Sequence, residues 1–90
     1  MMKTIIDDIK YLYSYYRECN LKHLLEYNNG YFERAEYCLY LIDMFEKGYY
    51  DYQLMYEIKQ LSKVAKSIME IQPDVRYEFS PVRYNIAHVW

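Results

Sequence analysis

Ninety residues, 53% apolar and 27% charged, allow one domain with a modest core, about 60% of the unfolded chain's surface being buried at this size. A formal net charge of −2 argues against duplex nucleic acid as the main partner, because neutralising phosphates takes a clear excess of Lys and Arg. Two glycines, two prolines and two cysteines exclude a loop-rich disulfide scaffold, and the N-terminal MMKTIIDDIK places two aspartates where a secretion signal needs its apolar run. The longest hydrophobic stretch, YCLYLI at 37 to 42, is closed by Asp43, so no membrane association is expected and the location expected is cytoplasmic.

In chain order, Ile5, Ile9, Leu12, Tyr16, Cys19 and His23 step by four and three, one stripe on a helix, and Thr4 with Asp7 resembles a capping box at its start. Leu21 and Leu25 fall on the opposite side, which predicts either a bend near Asn20 or cover on two faces. The NNG at 28 to 30 supplies a stop. The second segment groups Tyr31, Ala35, Cys38, Leu39, Ile42 and Phe45, while Tyr37, Leu41 and Met44 widen the apolar arc past half the cylinder, so this helix is expected to be central. Gly48 ends it. The third segment has the cleanest amphipathic pattern, Leu54, Ile58, Leu61, Ala65 and Ile68 with Met55 and Val64 beside them, and Pro73 terminates it.

These patterns predict an all-α fold, a compact bundle of three main helices at about 4–28, 31–47 and 51–72, with a short C-terminal extension at 73–90, all in one domain over 1–90. In the extension Val75, Tyr77 and Phe79 alternate with Arg76, Glu78 and Ser80, which reads as extended chain. Ser80 and Pro81 then have the form of a helix start, with Val82, Ile86 and Val89 on one face. So apolar a segment is expected to dock between the first and third helices, the alternative being that 75–79 pairs with a strand of a partner or of a second copy.

The unusual feature is 14 tyrosines against three phenylalanines and one tryptophan. Tyr13 and Tyr16 lie inside the apolar arc of the first helix, Tyr11 and Tyr15 along its edge, Tyr52 and Tyr56 on the polar face of the third, and Tyr49 and Tyr50 in the turn before it. A chain this small cannot bury every phenol with a partner for its hydroxyl. Rigid amphipathic rings are enriched in protein interfaces, so Tyr11, Tyr15, Tyr49, Tyr50, Tyr52 and Tyr56 are candidate partner-binding residues. Lys59, Lys63 and Lys66 form a ladder beside Tyr52 and Tyr56. That mixture of cation and ring also suits single-stranded nucleic acid, which supplies an alternative reading. Charge is polarised, net −4 over residues 1–58 and +2 over 59–90.

Cys19 and His23 stand four apart, with Cys38 and His88 elsewhere, but they lack the short paired spacings of zinc modules. No metal and no cofactor are expected. The segment VRYNIAHVW, residues 82 to 90, contains Arg83 and His88 as R-x4-H and resembles the motif of the HEPN superfamily of all-helical proteins, many of them metal-independent RNases. The resemblance implies a second alternative, in which Arg83 and His88 of paired subunits converge on a scissile phosphate. The expected function is binding without catalysis. The expected partner is another protein, within a larger complex, with a homodimer as a further possibility. In profile the chain is similar to small accessory proteins of phages and mobile elements, including inhibitors such as anti-CRISPR proteins.

Overall fold

The first helix is wrapped from three directions. A computed structural model of the chain describes residues 4–26 and 29–80, and in them α1 (Ile5–Lys22), α2 (Tyr31–Glu46) and α3 (Tyr52–Ile71) form an all-α three-helix bundle, with no strand among the described residues. α1 packs along both other helices, whereas α2 and α3 meet at only a few positions. The width of the apolar arc had pointed to α2 as the central helix. α1 holds that place instead, burying Ile9, Leu12 and Tyr13 completely, while part of the arc of α2, Tyr37 included, stays in water. Cys38, Leu41 and Ile42 of α2 and Ile58 and Ala65 of α3 complete the core.

The third cover of α1 is the chain after α3. Residues 75–80 carry no helical or strand ladder and cross the outer side of α1. Gln72 Nε2 donates to the hydroxyls of Tyr11 (3.2 Å) and Tyr77 (2.8 Å), which starts the crossing at the seam of α1 and α3. The ring of Tyr77 then stands edge-on to Tyr11 and Tyr15, at 5.2 and 6.0 Å between centroids. Phe79 meets Tyr13 edge-on at 5.5 Å beneath the Lys10 ammonium. Two side chains of α1 reach the backbone of this strap, Ser14 Oγ sharing its one proton between Lys10 O of its own helix at 3.1 Å and Glu78 O at 3.3 Å, and Arg17 donating to Ser80 O at 2.9 Å. Ser14 is buried for this reason, on a face that the helical wheel marks as polar.

The helix ends follow local chemistry. The Thr4 N–H donates to Asp7 Oδ2 at 3.0 Å, closing the start of α1 as the spacing predicts. α1 stops at Lys22, well short of the predicted end at 28. Leu24 and Leu25 are 62% and 100% exposed, so no burial offsets the entropy of continuing the helix. Asn29 splices the two helices instead, its Nδ2 donating to His23 O and its Oδ1 accepting from Tyr31 N–H, both at 2.8 Å. α3 is capped by Asp51 Oδ1, which accepts from Leu54 N–H at 2.8 Å.

α2 ends in a Schellman arrangement, Gly48 N–H to Phe45 O and Tyr49 N–H to Met44 O, with Gly48 at φ 91°. A Cβ at Gly48 would meet nothing within 4 Å, so Gly48→Ala isolates the backbone penalty. It should cost about 1–2 kcal/mol, read as a shift of the urea midpoint with unchanged m-value.

One buried polar pair ties α1 to α3. Ser62 Oγ donates to Asp8 Oδ2 at 2.6 Å, and the Lys66 ammonium lies 4.0 Å from the same oxygen. Asp8 and Ser62 are both nearly inaccessible, so Ser62→Ala removes a donor from a buried carboxylate. The expected loss is about 1–3 kcal/mol in urea unfolding.

Candidate functional site

Six tyrosines, Tyr37, Tyr40, Tyr49, Tyr50, Tyr52 and Tyr56, are exposed by between 41% and 84%. They lie on α2, on the turn around Gly48 and on the first turns of α3, and the Tyr37 and Tyr40 pair of α2 faces Asp51, Gln53 and Glu57 at the start of α3. The helix ends described above fix this corner, since the left-handed Gly48 reverses the chain and the Asp51 cap starts α3 three residues later. Tyr50 rests edge-on against Phe45 at 5.2 Å, which holds the turn against α2. Tyr52 and Tyr56 stand one turn apart on the outer side of α3. Tyr37 and Tyr40 are one turn apart on α2 and stack with centroids 6.2 Å apart and ring planes at 21°.

Between this stack and α3 lies a cleft of about 210 Å³, lined by Tyr37, Tyr40 and Met44 on one side and Asp51, Gln53 and Glu57 on the other. Gln53 Nε2 donates to Glu57 Oε2 at 2.9 Å. Burial first, and then a hydrogen bond to the Glu57 carboxylate, raise the Tyr37 phenol above its usual value.

The structure divides the tyrosines chosen from sequence. Tyr49, Tyr50, Tyr52 and Tyr56 are open at the corner, whereas Tyr11 and Tyr15 are half-buried and serve to hold Tyr77. The Tyr15 phenol is pushed up to about 12, chiefly by its hydrogen bond with Cys19 and then by burial. Lys59 and Lys63 are exposed on the same outer side of α3 as Tyr52 and Tyr56, while Lys66 leans toward Asp8. Arg83 and His88, and the helix expected after Ser80, lie outside the described residues. Sequence reasoning missed the Tyr37 and Tyr40 pair because Tyr37 was counted into the apolar arc. The available signal was their three-residue spacing beside Glu33 and Glu36, at the edge of that arc.

Among the described residues no three His, Cys, Asp or Glu side chains come together as metal ligands, and no helix is long and apolar enough to cross a membrane. Burial pushes the Cys38 thiol up to about 12, so it is a packing group in the core. An acid raised on folding stabilises the fold fully below its unfolded pKa and loses that contribution as pH rises through the folded one. For Cys38 that window runs from 9.0 to about 12, and the raised phenols of Tyr15, Tyr16 and Tyr37 act in the same direction from 10.0 upward. Urea midpoints measured across this range should therefore fall as pH rises, and Cys38→Ala should flatten the first part of the fall.

Comparison of the chain with protein-family models, with curated proteins and with solved structures gave no significant match. A functional reading therefore rests on the surface itself.

Proposed function

We propose that this chain is a non-enzymatic binding module whose tyrosine-lined corner, Tyr37, Tyr40, Tyr49, Tyr50, Tyr52 and Tyr56, recognises another protein. The observation that carries the reading is the division of labour among the rings. Tyr11, Tyr13, Tyr15, Tyr16, Tyr31 and Tyr77 pack against one another, against Phe79 or under Arg17 and Arg34, whereas the six at the corner present 41–84% of their surface to water. Exposed rings cost solvation without stabilising a core, and tyrosine supplies large contact area with few rotatable bonds. Interfaces concentrate binding energy in such residues.

The profile of small phage and mobile-element accessory proteins extends this reading to an inhibitor of a larger complex. Lys59 and Lys63 beside Tyr52 and Tyr56 supply the features of a single-stranded nucleic-acid site, but the adjoining cleft is lined by carboxylates, which repel phosphate. A titration with a fluorescent single-stranded oligonucleotide separates the two. The protein reading expects no binding at physiological salt, and tight binding with a steep salt dependence would replace it with the nucleic-acid reading.

A further inference from the structure

The cleft between α2 and α3 has a chemistry of its own. Its lining combines the exposed Tyr37 and Tyr40 stack, the apolar Leu41, Met44 and Leu54, the amide of Gln53, and two carboxylates, Asp51 and Glu57, with no basic residue. Elsewhere the protein covers its rings with its own cations. Arg17 lies 5.9 Å from the Tyr13 centroid, Arg34 lies 5.5 Å from Tyr31 and 6.0 Å from Tyr16, and Lys10 lies 5.2 Å from Phe79. Among the described residues no Lys or Arg is placed in this way over Tyr37 or Tyr40.

We propose that this cleft receives an arginine side chain from the partner protein, the guanidinium lying against the Tyr37 and Tyr40 rings and hydrogen-bonding to Asp51 and Glu57. The inference rests on the tyrosine corner being a protein-binding surface, and it adds the charge of the segment bound there. Three features of the cleft select arginine. Aromatic faces attract cations, and a planar guanidinium stacks on them better than a compact ammonium does. Its fork of five donors can serve carboxylates on separate residues at once, which a point charge does less well. The aliphatic stem of arginine also matches the apolar wall formed by Leu41, Met44 and Leu54. The carboxylates keep capacity for this role, since each accepts at about four lone-pair positions, of which Asp51 uses one on Oδ1 for its cap and Glu57 uses two for Gln53 Nε2 and the Tyr37 hydroxyl.

The test is a titration of the isotope-labelled protein, followed by NMR, with a capped Gly-Arg-Gly peptide, its lysine analogue and its citrulline analogue. Citrulline keeps the shape of arginine and removes the charge. Arginine peptide should shift the resonances of Tyr37, Tyr40, Gln53 and Glu57, with lysine weaker and citrulline at least about tenfold weaker, as expected when a charge-assisted hydrogen bond is lost. A double variant, Asp51→Asn with Glu57→Gln, keeps the cap acceptor and the side-chain shapes. It should weaken arginine binding about tenfold or more, with its own spectral changes confined to the substituted sites and to Tyr37 and Gln53, the hydrogen-bond partners of Glu57. Equal binding of arginine and citrulline peptides overturns the proposal. So does an absence of shifts at the cleft, or an undiminished affinity in the double variant. If these fail while the tyrosine variant described below still loses its partner, the arginine assignment falls and the protein-binding reading stands.

Discussion

Tyr13→Ala should destabilise the protein by about 3–5 kcal/mol, the usual cost of removing a fully buried aromatic side chain. Stability scales to roughly 5–13 kcal/mol for a domain of this size, so the variant would lose a large share of the total. Tyr13 is completely inaccessible, meets Phe79 edge-on at 5.5 Å and lies beneath the Arg17 guanidinium, whose hydrogen bond to Ser80 O holds the strap. The same change should therefore loosen residues 75–80. Urea unfolding gives the first number, and a double-mutant cycle with Phe79→Ala gives the coupling, expected at about 0.5–1.5 kcal/mol beyond simple burial. A loss below about 1 kcal/mol for Tyr13→Ala would contradict the packing described for α1.

The second large effect is on binding and leaves folding almost untouched. Tyr40, Tyr49, Tyr52 and Tyr56 expose about half of their surface or more. Replacing all four by serine should shift stability by no more than about 0.5 kcal/mol per site. Loss of two aromatic anchors worth about 2 kcal/mol each would weaken partner binding by roughly a thousandfold. Tyr37 and Tyr50 are left in place because Tyr37 is hydrogen-bonded to Glu57 and Tyr50 packs on Phe45, so changing them would mix binding with local structure. Isothermal titration of the purified partner against both proteins, with urea curves alongside, separates the two effects. Equal affinities would remove these four rings from the interface.

Much of the architecture was legible because it is written in local signals. The apolar spacing of α3, the Thr4 and Asp7 start, the Gly48 stop and the Pro73 terminator each act within a few residues, and each stands where the spacing puts it. The central position of α1 was not legible, since it depends on α2 and α3 both packing on α1 rather than on each other, and on residues 75–80 crossing back over Ser14, more than sixty positions away in sequence. A wheel drawn on one helix cannot see cover supplied by another segment. The same limit hid the roles of Tyr11 and Tyr15, whose edge position fits an open surface as well as a seat for Tyr77. Leu21 and Leu25 show the converse, an apolar pair opposite the main stripe that is 57% and 100% exposed with nothing to pack on, and the helix expected to run to the NNG stop ends at Lys22. Of the candidate site, the tyrosines flanking Gly48 were visible as a cluster. The stack of Tyr37 and Tyr40 facing Glu57 became apparent only once α2 and α3 were placed side by side.

The most direct test of the tyrosine corner is hydroxyl-radical footprinting of the protein alone and in complex with a partner captured on it at fixed stoichiometry, with oxidation of each tyrosine read by mass spectrometry. Bound partner should protect Tyr37, Tyr40, Tyr49, Tyr52 and Tyr56 and leave Tyr11, Tyr15 and Tyr77 unchanged. Unaltered oxidation at the corner, with protection at another surface, would contradict the assignment.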